Sequence, residues 1–310
     1  MQLSLVVPSY NEEIVLPEMA ARLSTLLAQL VRVGTVVEAS RIYFIDDGST
    51  DKTWAIIESL AKSNPAIKGI RLSRNCGHQI ALLAGLLTVP GDAVISVDAD
   101  LQDDLAAIEP MLDAHAQGSE IVFGVRRKRD TDTFTKRLTA TGYYRLLERL
   151  GVETVFNHAD YRLMGRRALS ALAEYAEVNV FLRGIIPQLG FRTSIVYYDR
   201  LERFAGESKY PLKKMLALAW NGVTSFTAAP LRAITVVGIS IAMISFGITL
   251  WALVMRIFTL STVPGWASTV VPIYLLGGLQ LFAIGLIGEY LAKTYMETKR
   301  RPRFFIQESV

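Results

Sequence analysis

The sequence predicts an α/β protein whose parallel sheet is covered by helices on both faces and is followed by two transmembrane helices. Three observations support this prediction. Apolar, β-rich runs alternate with helical patterns through residues 1–200, polar segments follow the strands, and two long uncharged runs come later in the chain. Alternation of strands and helices is typical of parallel sheets that are buried on both faces.

The spacing of apolar residues places each element of the sheet domain. Strands are predicted at Leu3–Val7, Ile42–Ile45, Ile67–Arg71, Ala93–Val97 and Ile121–Phe123. Helices are predicted near Ile14–Leu30, Thr53–Ala61, Gln79–Leu87, Leu105–Gln117 and Lys136–Leu150. In sheets of this kind, ligands bind beyond the carboxyl ends of the strands. The residues that directly follow each strand are therefore the first candidates for a site.

Composition limits the class of partner. The formal net charge of +4 over 310 residues is too small to indicate nucleic acid by itself. Cys76 is the single cysteine, so an internal disulfide is excluded and a reduced compartment is favoured. The first residues resemble a strand and not a signal peptide, since Glu12 and Glu13 follow them at once.

Two runs without charged residues, Ala233–Met255 and Ala267–Gly288, are each long enough to cross a bilayer as a helix. Basic residues lie before the first run and after the second, which predicts that both termini are cytosolic. A pair of buried core helices is the alternative. Small residues in both runs permit helix association, so a homo-oligomer is possible.

The expected organisation therefore has four parts. An α/β domain over 1–200 is followed by amphipathic interfacial helices over 201–231, a two-helix transmembrane hairpin over 232–292 and a basic cytosolic tail over 293–310. A linker helix packed on the domain is the alternative for the second part.

Polar, often acidic segments follow four of the predicted strands: Pro8–Glu13, Asp46–Asp51, Ser73–Asn75 and Asp98–Asp100. A glycine-rich dinucleotide fingerprint does not follow the first strand, and the chain has no Walker A motif. The segments therefore favour a cation, and not a backbone cradle, as the group that holds the phosphates of a ligand.

Asp98 and Asp100 are two residues apart at a strand end, which directs both carboxylates to one side. Oxygen ligands of this kind suit Mg²⁺ or Mn²⁺, with Gln102 and Asp103 as further oxygen donors. Aspartates at such positions are often only caps or turn formers, and the same alternative applies to Asp46 and Asp47. Polar segments at successive strand ends favour the metal site.

These residues carry a resemblance to a known family. The segments Val7–Glu12, Asp46–Ser49 and Asp98–Gln102 resemble family 2 glycosyltransferases of the GT-A fold. Further segments resemble the polyprenyl-phosphate glycosyltransferases within that family, of the bactoprenol glucosyltransferase type, with dolichol-phosphate mannose synthase a more distant match. They are Ser73–Gln79, Asp160–Arg162, Phe181–Gly184 and Gly206–Tyr210.

The resemblance implies an inverting, metal-dependent transfer of a sugar from a nucleotide-sugar to undecaprenyl phosphate. UDP-glucose is the favoured donor, while GDP-mannose, UDP-N-acetylglucosamine and UDP-aminoarabinose stay open. A lipid bilayer and not nucleic acid is the expected partner, and a multi-pass position in the bacterial inner membrane is the expected location. A non-catalytic nucleotide-binding scaffold is the alternative from another functional class.

The resemblance also implies a role for individual residues. The nucleotide-binding set is Pro8, Tyr10, Glu12, Asp46, Asp47, Arg74 and Asp98, and the metal set is Asp98, Asp100 and Gln102. Asp160 corresponds to an acceptor-side carboxylate, so the catalytic set is Asp98, Asp100 and Asp160. A phosphate monoester is largely dianionic at pH 7. We therefore expect Asp160 to orient the acceptor or to take a residual proton.

An anionic acceptor needs basic partners. Arg126 and Arg127 directly follow the fifth predicted strand, and the expected acceptor-phosphate set is completed by Arg137, Arg203 and Lys209. A solvated loop is the alternative for this basic run. His78 is expected to be structural.

Overall fold

The computed structural model describes residues 1–127, 158–178, 180–199, 229–259 and 266–310. Its contacts divide the chain into two compact units. The first unit consists of Met1–Arg149, Glu153–Leu212 and Arg300–Val310, and the second consists of Leu150–Val152 and Lys213–Lys299.

The first unit alternates strands and helices. Its strands are β1 Leu3–Ser9, β2 Arg41–Asp46, β3 Ile67–Leu72, β4 Ala93–Ser96, β5 Ile121–Arg126, β6 His158–Gly165, β7 Thr193–Tyr198 and β8 Ile306–Ser309. Its described helices are α1 Leu16–Val33, α2 Thr53–Ser63, α3 His78–Thr88, α4 Ile108–Ala116, α5 Arg166–Ala173 and α6 Leu182–Gln188, with a 3-10 turn at Leu105–Ala107.

The strands form one mixed sheet in the order β7-β5-β6-β4-β1-β2-β3-β8. The pairs β4–β1, β1–β2, β2–β3 and β5–β7 are parallel. Strand β6 lies antiparallel between β4 and β5, and β8 lies antiparallel beside β3. The prediction of an α/β sheet is confirmed, but the sheet is mixed where the sequence predicted parallel strands.

Apolar side chains explain how the helices pack on the sheet. Helix α1 buries Leu16, Met19, Leu23, Leu27 and Leu30, whose spacing of three or four residues puts them on one face. All of β1 is buried, as expected for a central strand that is covered on both faces. This core fixes the strand ends at which the polar segments begin.

The predicted strands and helices agree with the structure to within a few residues. At Leu105–Gln117 a 3-10 turn precedes α4, and helices α5 and α6 and strands β6, β7 and β8 were not predicted. The predicted helix Lys136–Leu150 lies outside the described residues, as do residues 201–228 of the predicted interfacial segment.

The last residues of the chain rejoin the first unit. Strand β8 pairs with β3, and the backbone N–H of Ser73 donates to the carbonyl oxygen of Phe305 at 2.9 Å. The Arg303 guanidinium donates to the backbone oxygen of Tyr175. Because an uncovered edge strand exposes unpaired backbone groups, β8 protects this edge of the sheet.

Helices α7 (Ala229–Thr259) and α8 (Trp266–Thr298) form the described part of the second unit and occupy the two uncharged runs. Among the residues described in the structure, no helix has both the length and the apolarity that crossing a membrane requires. The transmembrane hairpin is therefore unsupported, and the predicted multi-pass location in the inner membrane is contradicted.

Candidate active site

Strands β1, β2, β3 and β4 run parallel, so their carboxyl ends lie at one edge of the sheet. Two of the predicted polar segments follow β3 and β4, whereas the segments that begin at Pro8 and Asp46 start within the last residues of β1 and β2. The fold therefore brings the four segments to one edge, as the sequence predicted. Pro8 is buried within β1, whereas Tyr10 is exposed just beyond it.

Asn11 joins the segment after β1 to the segment after β2. Its backbone N–H donates to Ser49 Oγ at 3.0 Å, and its Oδ1 accepts the Thr50 N–H at 2.9 Å. The neighbouring Glu12 N–H donates to Thr53 Oγ1 at 2.9 Å. Asn11 has φ +54°, a left-handed conformation that asparagine tolerates better than most residues. Sequence reasoning missed this role, although Asn11 lies inside the motif.

Asp46 and Asp47 support the turns around them. Asp46 is buried at the end of β2, where it accepts the Ser49 N–H at 3.2 Å, and its Oδ2 lies 3.4 Å from Arg71 Nε. Asp47 accepts the backbone N–H groups of Cys76 at 2.7 Å and Gly77 at 2.8 Å. Burial raises the pKa of both carboxyls. Each aspartate therefore has a structural role beside its predicted role toward the nucleotide.

Asp98 and Asp160 lie on adjacent chain segments. Ser96 pairs with Arg162 at the end of the antiparallel β4–β6 ladder; Asp98 follows β4, and Asp160 lies on β6. His78 Nε2 lies 3.5 Å from Asp98 Oδ1 and 3.5 Å from Asp160 Oδ2. Burial and the charges of Asp103, Asp160 and Asp100 raise the pKa of Asp98 to about 7, against the opposing effect of His78. The structure therefore concentrates negative charge here.

Asp160 differs from Asp98 because cations surround it. Both Arg162 and Arg183 form ion pairs with its carboxylate, and Gln79 Nε2 donates to it at 3.1 Å. Burial opposes ionisation, but hydrogen bonding to His78 and the two guanidinium groups outweigh it, so the pKa of Asp160 lies well below its ordinary value. Asp160 is therefore ionised at neutral pH.

The predicted metal residues lie in the loop after β4. Asp100 Oδ1 accepts the Gln102 N–H at 3.2 Å, the Gln102 side chain is buried, and Leu101 between them has φ +58°. In the described ranges, no three His, Cys, Asp or Glu side chains are grouped as a metal site would require. A cation held here would take at most two carboxylates from this loop.

Arg126 is the predicted acceptor residue whose partners the structure shows most fully. Its guanidinium donates to Tyr198 Oη at 3.2 Å and to Asp103 Oδ1 at 3.4 Å, while Tyr198 Oη donates to the same carboxylate oxygen at 2.5 Å. The side chain of Arg127 is exposed, as is that of Arg74. The other predicted residues of the acceptor set, Arg137, Arg203 and Lys209, lie outside the described residues.

Several residues of this region were not in the predicted sets: Asn11, Gln79, Arg162, Arg183 and Tyr198. Most of them contact a residue of the predicted sets. The segments around Gln79, Arg162 and Arg183 did carry the family resemblance. Their contacts with Asp160 could not be inferred from the sequence, so no role was predicted for them.

The comparisons with known proteins agree with this architecture. Residues 4–173 match the profile of Glycosyl transferase family 2. The chain is 48% identical over 306 residues to the uncharacterized glycosyltransferase YkoT of Bacillus subtilis (strain 168), covering 98% of this chain and 90% of that protein. It is 39% identical over 310 residues to the bactoprenol glucosyl transferase of Shigella phage SfX, covering 99% of both.

A solved structure, mannosyl-3-phosphoglycerate synthase from Rubrobacter xylanophilus, is 17% identical, with a TM-score of 0.48 over 75% of this chain and 74% of that one. The family profile matches more than half of the chain, and the relatives match nearly all of it. The chain is therefore a glycosyltransferase with a mixed α/β sheet of the GT-A type, and it belongs to glycosyl transferase family 2.

Proposed function

We propose that this glycosyltransferase moves a sugar from a nucleotide-sugar to a polyprenyl phosphate, with UDP-glucose and undecaprenyl phosphate as the substrates. One observation of the site carries the proposal. Asp98, which follows β4, and Asp160, on the adjacent strand β6, both lie 3.5 Å from His78 Nε2. The segments after β1 and β2 lie at the same end of the parallel strands. The relative named bactoprenol glucosyl transferase matches the whole length of the chain and supports the choice of substrates.

The turns after β1 and β2 support binding of the nucleotide. Hydrogen bonds through Asn11 hold the two turns together. Tyr10, beside Asn11, is 44% exposed. An exposed aromatic ring held by a fixed backbone is suited to stack on a base. The exposed Arg74 lies on the loop that Asp47 anchors through Cys76, within the same group of segments.

The chemistry of the loop after β4 supports a divalent cation, Mg²⁺ or Mn²⁺, held by Asp98, Asp100 and Gln102. Mg²⁺ is commonly bound by one or two carboxylates, with substrate phosphates and waters as its other ligands. Burial, and then the neighbouring carboxylates, raise the pKa of Asp98, and a bound cation would stabilise its ionised form. When bound, such a cation neutralises the charge that develops on a departing diphosphate.

The transfer itself needs little from a base. An oxygen of the acceptor phosphate forms a bond to the anomeric carbon, while the bond from that carbon to the diphosphate oxygen breaks and the nucleoside diphosphate leaves. A phosphate monoester is already largely dianionic at pH 7. The low pKa of Asp160 fits an orienting role better than that of a base. A single displacement of this kind inverts the configuration at the anomeric carbon.

Transfer of radiolabel tests the proposal. The full chain is incubated with a panel of labelled nucleotide-sugars and undecaprenyl phosphate, with Mg²⁺, with Mn²⁺ or with a chelator. Asp100→Ala is compared with the wild type, and Asp113→Ala, on the exposed side of α4, is the matched control. We expect labelled lipid from UDP-glucose in the wild type and in the control, and none with the chelator or in Asp100→Ala. Folded protein that binds UDP but labels no lipid with any donor would contradict the proposal.

A further inference from the structure

The first turn of α3 lies between the turn after β2 and the carboxylates of the candidate site. Directly before the helix, the backbone N–H of Gly77 donates to Asp47 Oδ2 at 2.8 Å. His78 is the first residue of α3, and its Nε2 lies 3.5 Å from both Asp98 Oδ1 and Asp160 Oδ2. A side chain in this turn can therefore relate the position of Asp160 to the turn that Asp47 holds.

The side-chain amide of Gln79, the second residue of α3, forms a hydrogen bond at each end. Its Nε2 donates to Asp160 Oδ2 at 3.1 Å, and its Oε1 accepts the N–H of Leu182, the first residue of α6, at 3.1 Å. An amide oxygen can only accept and an amide N–H₂ can only donate. A carboxylate on one side and a backbone N–H on the other therefore allow one orientation of this amide.

Gln79 differs in charge from the other side chains around Asp160. His78, Arg162 and Arg183 are basic side chains that contact the same carboxylate. Among the contacts described for this carboxylate, Gln79 is the neutral one, so it adds no charge to the cluster. A hydrogen bond is directional, and the donor here is itself held by the Leu182 N–H. Gln79 can therefore contribute to the orientation of Asp160 independently of its charge.

We propose that Gln79 is a positioning residue that fixes the direction of the Asp160 carboxylate within the site. This inference rests on the proposed function, in which Asp160 orients the acceptor, and it adds a residue to the same site. The Gln79 amide connects the first turn of α3 to the start of α6, so Asp160 is held relative to both elements. Without this donor, Asp160 keeps its basic partners but its carboxylate can turn.

Three substitutions separate the two hydrogen bonds of Gln79. Gln79→Met is of similar length and removes both bonds. Gln79→Lys keeps a donor for Asp160 but offers the Leu182 N–H no acceptor, whereas Gln79→Glu, when ionised, keeps the acceptor and loses the donor. Measurement at pH 8 disfavours a proton shared between the new carboxyl and Asp160. Gln29→Met, at an exposed glutamine on α1, is the matched control.

The kinetic test uses the full chain with saturating UDP-glucose and varied undecaprenyl phosphate. If Gln79 acts through Asp160, kcat/KM for the acceptor falls roughly 10- to 100-fold in Gln79→Met and in Gln79→Glu. Gln79→Lys should retain most of the wild-type value, as should Gln29→Met. Calorimetry should show unchanged affinity for UDP in every variant, because the contacts of Asp47 stay in place.

Hydrogen exchange of the Leu182 amide measures the second bond by itself. Gln79→Met and Gln79→Lys both remove its acceptor and should speed exchange equally, whereas Gln79→Glu should not. Equal exchange in Gln79→Met and Gln79→Lys, together with unequal kcat/KM, assigns the kinetic effect to the contact with Asp160. A merely structural role, in which Gln79 only anchors the start of α6, predicts instead that these two variants are equally impaired.

Three results would overturn the inference. They are a Gln79→Lys variant as impaired as Gln79→Met, a wild-type kcat/KM in Gln79→Met, or a loss of UDP affinity in Gln79→Met. If the wild type transfers no sugar to any lipid phosphate, the proposed function fails, and crystal structures of the variants then test the positioning separately. The Asp160 carboxylate should turn in Gln79→Met and keep its direction in Gln79→Lys. An unchanged carboxylate in Gln79→Met would contradict the inference even then.

Discussion

The Asp47 carboxylate binds the backbone N–H of Cys76 at 2.7 Å, although the two residues belong to different strand–helix connections. Its second oxygen binds the N–H of Gly77 at 2.8 Å. Asp47 thereby holds the loop after β3 against the turn after β2. The sequence predicted Asp47 as a nucleotide ligand, with a turn former as the alternative, and the structure shows that it links two connections at the carboxyl ends of the strands.

Replacement of Asp47 by asparagine should affect both stability and nucleotide binding. Asparagine keeps one acceptor and points an N–H₂ group at a backbone N–H, so a part-buried donor loses its partner. We expect a loss of about 1–3 kcal/mol in the free energy of unfolding and weaker binding of UDP. Urea unfolding and calorimetry measure the two effects.

Asp92→Asn is the matched control for this change. Asp92 also accepts a backbone N–H, that of Gln2 at 2.7 Å, but this bond is exposed and precedes β4 instead of following a strand. UDP binding should be unchanged in that variant. Equal loss of UDP affinity in both variants would show that Asp47 has no special role in shaping the site.

Gly48, the residue after Asp47, should tolerate no side chain. Its φ is +66°, and a Cβ atom would lie 2.7 Å from the backbone carbonyl carbon of Arg74. Gly34→Ala is a matched control, since Gly34 has φ +83° and nothing within 4 Å of a new Cβ. We expect Gly34→Ala to cost about 1–2 kcal/mol from backbone strain alone. Gly48→Ala should cost roughly 1–3 kcal/mol more, because backbone must move. Equal unfolding free energies would contradict the close approach.

Much of the sheet could be predicted from sequence because β1 to β5 are apolar runs separated by helical periodicity. Strand β6 could not, since Asp160 and Arg162 are charged and yet buried together on one face. A prediction from hydrophobic periodicity assigns charged residues to the surface. Here the opposite charges of Asp160 and Arg162 compensate each other, so both side chains are buried. Strand β8 is polar and exposed, and only its pairing with β3 makes it a strand.

The candidate site was predictable to the extent that sheet topology determines it. Residues after parallel strands converge on one edge, and Asp46, Asp47 and Asp98 follow this rule. Gln79 and Arg183 lie in helices, and their contact with Asp160 depends on where β6 inserts into the sheet. That insertion was not predicted, so the contacts that determine the charge of Asp160 could not be predicted either.

The Tyr198 hydroxyl should be important for both stability and acceptor binding. It donates to the buried Asp103 at 2.5 Å and accepts from Arg126 at 3.2 Å. Asp103 Oδ2 has no hydrogen-bond partner among the described residues, so Tyr198→Phe leaves the ion pair with Arg126 as the main compensation that the described residues give this carboxylate. We expect a loss of about 1–3 kcal/mol in the free energy of unfolding. If Arg126 contacts the acceptor, KM for undecaprenyl phosphate should also rise.

Tyr197→Phe provides the control for Tyr198→Phe. Tyr197 is the neighbouring residue on β7 and is 56% exposed. Its substitution should change the free energy of unfolding by less than about 0.5 kcal/mol and should leave KM unchanged. Chemical denaturation and initial-rate kinetics with varied acceptor measure these effects. A rise in KM in both variants would remove the argument for Arg126 as an acceptor residue.

Affinity for a divalent cation should depend on pH through Asp98. Burial, and then the charges of Asp103, Asp160 and Asp100, raise its pKa from 3.8 to about 7. Between these two values the folded protein binds more protons than the unfolded chain, so this group lowers stability as pH rises through that range. A cation must displace the proton below pH 7. Its affinity should therefore rise up to about tenfold per pH unit and then level off above pH 7.

Titration of Mn²⁺ into the protein at pH 5.5, 6.5, 7.5 and 8.5, followed by calorimetry, measures this dependence. Protonated His78 also repels a cation, so Asp98→Asn is needed to separate the two groups. That variant should bind Mn²⁺ weakly and with a shallower dependence on pH, whereas Asp113→Asn should keep the wild-type profile. Affinity that does not change between pH 5.5 and 7 in the wild type would mean that Asp98 is not a ligand, because a ligand with a raised pKa must release its proton to bind.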